Sequence, residues 1–112
     1  PGQDTMLRMI SHYGYSKPGA TYTAGVWVKT EEVIKGSGQG AYLSLDFQDN
    51  NGGTLQSVVS AAKVAGSTEW TYLEATGVAP PSQRISVVLH LNAQSGAAYF
   101  DDAYLGMIKP AP

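Results

Sequence analysis

The feature that most constrains this chain is a two-residue rhythm interrupted at short intervals. The breakers KPGA (17–20), GSGQG (36–40), DNNGG (49–53), GS (66–67), VAPPS (78–82) and QSG (94–96) place Gly, Pro, Asn, Asp and Ser where a chain turns. Between them lie stretches of about five to ten residues, the spacing expected of an all-β sandwich or barrel. Within Thr21–Lys29, Tyr22, Ala24, Val26 and Val28 share one side of an extended strand, and Thr23, Gly25, Trp27 and Lys29 share the other. Within Ala41–Gln48, Leu43, Leu45 and Phe47 oppose Tyr42, Ser44, Asp46 and Gln48. Within Ile85–Asn92, Ile85, Val87, Leu89 and Leu91 oppose Ser86, Val88, His90 and Asn92. Each of these is a strand with one apolar face and one polar or amphipathic face. Thr5–His12, Glu69–Ala75 and Ala97–Leu105 read as less regular strands. Leu55, Val58, Val59 and Ala62 fall at helical spacing. DNNGG just before them is hairpin chemistry, however, and Ser57, Ser60 and the paired valines weaken a helix, so a strand is expected.

The 112 residues have room for one domain, expected over 1–108, with KPAP at 109–112 as an extended tail. The fold class expected is a two-sheet antiparallel β-sandwich. Lys+Arg 7 against Asp+Glu 9 leaves no basic surface to follow a phosphate backbone, which argues against nucleic acid as a partner. The longest apolar run is too short for a helical bilayer crossing, so no membrane span is expected. The opening residues PGQDT lack a basic-then-apolar leader, and any export signal is expected to be gone from this sequence. With no cysteine there is neither a disulfide nor a thiolate nucleophile.

Enzyme signatures are absent: no GxSxG, HExxH, Walker loop or cysteine pair occurs. His12 and His90 stand far apart in sequence with no clustered partners, and no carboxylate pair suited to glycoside hydrolysis is picked out by spacing. A binding role is expected instead of catalysis. Tyr 7 and Trp 2 outnumber Phe 2, and tyrosine and tryptophan pair a flat apolar body with a polar handle. Trp27 lies opposite the apolar face of its strand, where a large aromatic needs an explanation. If neighbouring strands stack in register, Trp27, Tyr42, Asp46, Gln48, His90 and Asn92 decorate one sheet face. Such a face suits carbohydrate, the ring meeting the C–H side of a sugar and the polar groups taking its hydroxyls. The opposing reading has that face covered and Trp27 in the core.

Asp101 is the other candidate. Strand alternation puts it in phase with Tyr99, Ala103 and Leu105. On an inner face its carboxylate would need a partner or a metal, and calcium suits an oxygen-only site. At the rim it would bond backbone amides, or Arg8 or Arg84. Both readings stand at this point.

KPGATYTAGVWVKTEE (17–32) resembles the pGxxYxxsxWVk strand of carbohydrate-binding modules in the galactose-binding-like jelly-roll group, families 4/9, 16 and 22 among them. STEWTYLEATGVAPPSQRISVVLHLN (67–92) is similar to a later stretch of the same pattern, and GAAYFDDAYLGM (96–107) to its closing strand. The resemblance implies a jelly roll that binds polysaccharide or oligosaccharide outside the cell, secreted or at the cell surface and of bacterial origin, usually beside an appended glycoside hydrolase domain. It implies a stacking role for Trp27 on a sheet face, a structural role for Trp70, and a structural calcium held by Asp101. The family pattern also begins with a segment carrying a first strand, and no stretch here matches that segment. Related sandwiches serve as structural or interaction domains of larger surface, adhesin or phage fibre proteins without glycan binding, so fold alone does not decide function.

Overall fold

The computed structural model describes residues 5–36, 38–82 and 84–112. Seven strands follow one another: β1 (Thr5–Tyr15), β2 (Thr21–Ile34), β3 (Gly40–Gln48), β4 (Thr54–Val59), β5 (Gly66–Val78), β6 (Arg84–Ala93) and β7 (Ser95–Lys109). Every segment expected to be extended is a strand, including the one with helical spacing, which forms β4. The last strand continues through Lys109, one residue into the expected tail.

The strands form two antiparallel sheets, β1-β6-β3-β4 and β5-β2-β7, packed face to face as a β-sandwich. Alternation decides which side chains meet between them. Tyr22, Ala24, Val26 and Val28 from β2 face Leu43, Leu45 and Phe47 from β3 and Ile85, Val87 and Leu89 from β6, all buried in one cluster. Sealing each large aliphatic side chain of this kind contributes about 1.5–3 kcal/mol. Tyr22 and Phe47 meet edge to face at 6.2 Å and 61°, and the Tyr22 hydroxyl accepts the Lys17 backbone N–H at 2.8 Å. Tyrosine fits the core here because its one polar atom has a backbone partner.

Only the β3–β4 connection joins neighbours within a sheet; the other connections cross between sheets. At that hairpin Asp49 Oδ1 accepts the backbone N–H of Asn51 at 2.8 Å and of Gly53 at 2.9 Å, which is the turn chemistry that DNNGG announced. The observed strand order is jelly-roll-like. Among the described residues, no segment pairs with the outer edge of β7.

Strand β7 departs from simple alternation. Ala98 and Phe100 lean on the core, and so do Ala103 and Leu105, so the inward phase shifts by one residue between them. Asp102 takes a positive φ of 53° there, and the pairing with β2 slips between Gly25 and Trp27. A bulge inserts the extra residue. It corrects the expectation that Asp101 shares a face with both Tyr99 and Leu105: Tyr99 and Asp101 are exposed, while Ala103 and Leu105 pack inward.

Candidate functional site

The alternation that buries Val26 and Val28 turns Trp27 to the outside of the three-stranded sheet, where it remains 42% exposed. No described segment of this chain therefore seals Trp27 into the core. The strand register gives it specific neighbours. Tyr72 of β5 stands on one side and Asp101 of β7 on the other. Next along β2, Gly25 is flanked by Glu74 and Tyr104, and in the opposite direction Lys29 pairs with Tyr99. Trp70 lies two residues before Tyr72, on the same side of β5, and is 45% exposed.

Two glycines let the tyrosines lie down on the sheet. A Cβ at Gly25 would stand 1.8 Å from the Tyr72 hydroxyl, and one at Gly106 would stand 2.5 Å from the Tyr104 hydroxyl. Each phenol thus occupies the space above a glycine, and Tyr72 and Tyr104 present their rings while staying 40% and 46% exposed. The Trp27 and Tyr72 rings are 5.2 Å apart and tilted by 55°. Partial burial pushes the Tyr72 phenol above its ordinary range, and the nearby Glu74 and Tyr104 push it further. It is a neutral hydrogen-bonding group at any physiological pH. At the end of the patch the Tyr99 hydroxyl donates to Glu31 Oε2 at 3.4 Å. The result is an aromatic platform of Trp27, Tyr72 and Tyr104, edged by Asp101, Glu74 and Lys29.

Strand pairing corrects the expectation that six residues share one face. Trp27 belongs to the β5-β2-β7 sheet, whereas Tyr42, Asp46, Gln48, His90 and Asn92 belong to β3 and β6 of the other sheet. Those five alternate with core residues and so point away from the core on the opposite side of the sandwich. Four of them are occupied there with one another or with neighbouring side chains. Tyr42 stacks on the His90 ring at 4.4 Å and 4°, with the Lys63 ammonium 5.6 Å from the Tyr42 ring centre. Ser57 donates to Asp46 Oδ1 at 2.6 Å, and Ser86 donates to Gln48 Oε1 at 3.5 Å. Asp46 and Gln48 line a shallow depression with Ile10 and Val88, while Asn92 stands opposite Gly40. Ser44 Oγ and His90 Nε2 are 2.7 Å apart. That pair is sealed, Ser44 being 2% and His90 7% exposed, so it fastens the face together. The side chains of His12 and Arg8 lie outside the described residues.

Asp101 is exposed, and its Oδ1 accepts the backbone N–H of Asp102 at 2.9 Å. This is the rim arrangement, with the carboxylate tied to the bulge beside it. Among the described residues, no group of three or more His, Cys, Asp or Glu side chains converges.

Alternation located Trp27 but missed Tyr72, Tyr104 and Glu74. Their signal was present in the outward phase of β5, in Tyr104 itself, and in Gly25 and Gly106 opposite the outward rings, but it needed the pairing of β5 and β7 with β2 to become legible.

The sequence matches no protein-family model and no curated protein. Comparison of the fold with solved structures matches a chain in the structure of infectious bursal disease virus, Gx strain, with a TM-score of 0.44 and 12% identity. The match covers 92% of this chain and 28% of that one.

Proposed function

We propose that this chain is a non-catalytic carbohydrate-binding module that recognises a polysaccharide or oligosaccharide on the outer face of its three-stranded sheet. The observation that carries this reading is Trp27, a tryptophan held outside the core at 42% exposure beside a tilted tyrosine. An indole so placed offers a flat apolar surface for the C–H face of a pyranose. Asp101 and Glu74 would accept hydrogen bonds from its hydroxyls, and the Tyr72 and Tyr104 hydroxyls would either donate or accept. The resemblance to carbohydrate-binding modules supports the same reading. It extends the proposal to a module working outside the cell, at the surface or in secreted form, beside an appended glycoside hydrolase domain. Tyr42, Asp46, Gln48, His90 and Asn92 drop out of the proposed site because they lie on the other side of the sandwich.

A second reading is favoured by one observation, the outer edge of β7, with which no described segment pairs. An open edge accepts a strand from another polypeptide, as a structural or interaction domain of a larger surface protein would use it. Affinity electrophoresis through gels containing soluble xylan or β-glucan separates the two. Under the first reading the protein is retarded, and Trp27→Ala abolishes retardation while leaving the melting temperature nearly unchanged. Absence of retardation across plant and bacterial polysaccharides, or full retention of binding by Trp27→Ala, overturns it.

A further inference from the structure

The platform carries an excess of one charge. Asp101 stands beside Trp27 and Glu74 beside Gly25 in the strand register, and Glu31 accepts from the Tyr99 hydroxyl. Among the described residues of this stretch, the cation set against those three carboxylates is Lys29, paired with Tyr99. The aromatic rings add to the imbalance, since the face of an indole or phenol ring is the negative end of its quadrupole and attracts cations. A uronate or sulfated sugar brought onto this face meets carboxylates of its own sign. A neutral sugar gains the ring contact and hydrogen bonds but nothing from the charge. A sugar bearing a protonated amine gains all three.

Resting on the carbohydrate-binding reading above, we infer that the glycan this platform selects is an amine-bearing one, built of amino sugars with free ammonium groups. Its ring lies on Trp27, and its ammonium is held between the aromatic faces and the carboxylates of Asp101 and Glu74. A partly exposed ammonium–carboxylate contact shifts an equilibrium by about 1.5- to 5-fold, and an ammonium over an exposed aromatic face by about 2- to 5-fold. Together they amount to a preference of roughly tenfold over the same oligomer with its amines acetylated.

The test is titration of the chain, followed by tryptophan fluorescence at mildly acidic pH, with four oligosaccharides of equal length: a glucosamine oligomer, its N-acetylated counterpart, a neutral glucan and a uronate oligomer. An oligolysine of matched charge serves as a fifth probe. The expected result is binding of the glucosamine oligomer about tenfold tighter than its N-acetylated form, no binding of the uronate, and a preference that shrinks as salt is raised. In the double variant Asp101→Asn, Glu74→Gln the ratio of glucosamine-oligomer to N-acetylated-oligomer affinity falls to about two- to fivefold, the share of the ring contact alone. Equal binding of the acetylated or neutral oligomer, persistence of the full preference in the double variant, or equal binding of oligolysine overturns the inference. If neutral glycans still bind in those cases, the carbohydrate-binding reading stands without it. If no oligosaccharide binds, both fall.

Discussion

Gly25→Ala tests the platform's geometry directly, because what opposes the substitution is a side chain and not the backbone. Gly25 does not occupy the positive-φ region, so alanine in this strand interior would ordinarily gain about 0.5–1 kcal/mol from the smaller entropy loss on folding. Its Cβ, however, would stand 1.8 Å from the Tyr72 hydroxyl and 2.5 Å from Tyr72 Cζ. The phenol is the far end of a side chain already 40% exposed, so it swings into water and leaves the sheet undistorted. It then gives up the Trp27 ring contact, worth about 0.5–1.5 kcal/mol, together with its cover over the backbone. The two terms nearly cancel, and Gly25→Ala is expected within about 1 kcal/mol of the parent, on the destabilised side. With Tyr72→Ala already in place nothing has to move, and the same substitution stabilises by about 0.5–1 kcal/mol. The sites are therefore coupled by about 1–2 kcal/mol, with a change of sign. Urea unfolding of the parent, both single variants and the double variant measures this. An equal effect of Gly25→Ala in both backgrounds would refute the close approach of Tyr72 to Gly25.

Two further outcomes follow from single interactions. Glu74 is one of three causes that raise the Tyr72 phenol above 10.0, after burial and before Tyr104, so Glu74→Gln makes one tyrosine ionise at lower pH in an alkaline titration followed by phenolate absorbance. Because the folded phenol holds its proton more tightly than the unfolded one, its contribution to stability is present below pH 10.0 and lost as the pH rises through the folded value. Glu74→Gln makes that alkaline loss smaller, and an unchanged titration curve would remove Glu74 from the neighbourhood. Asp49→Ala strips the acceptor from the Asn51 and Gly53 amides and lowers stability by about 1 kcal/mol. An unchanged urea midpoint would mean that the turn holds through its backbone bonds alone.

The fold was largely legible because alternation and turn residues agree locally. Leu43, Leu45 and Phe47 could be assigned inward without knowing what they met, since a strand's period fixes its faces. DNNGG outweighed the helical spacing of Leu55, Val58 and Val59 because a hairpin forces the next segment back along its neighbour. The site was less legible. Alternation says that a residue faces outward, but it does not say on which of two sheets. Trp27 and Tyr42 looked like neighbours because β2 and β3 are consecutive, yet the chain crosses the sandwich between them and pairs β2 with β5 and β7. Asp101 was misphased for a different reason. A bulge shifts the register by one residue, and its signature in the sequence, two adjacent aspartates, is shared with ordinary polar surface.

The two outer faces obey one alternation rule and are nevertheless in different states. On the four-stranded sheet three outward polar pairs among the described residues are committed to one another: Ser44 with His90, Ser57 with Asp46, Ser86 with Gln48. A ligand hydroxyl arriving there must replace an existing bond, an exchange whose net gain is close to zero because each such bond already contributes about 1 kcal/mol. Much of that face is also closed, Ser86 being 0% exposed and Val88 6%. On the three-stranded sheet the outward groups are aromatic, and Gly25 and Gly106 keep the tyrosine rings flat against the strands so that their broad faces stay in water. Covering the ring faces themselves displaces no hydrogen bond and yields about 25 cal/mol for each Å² of apolar area removed from water. The same residues that make Trp27 conspicuous in sequence, a glycine two places before it and core valines on either side, therefore also leave this sheet, and not the richer-looking polar face opposite, as the surface on which the proposed recognition would cost least.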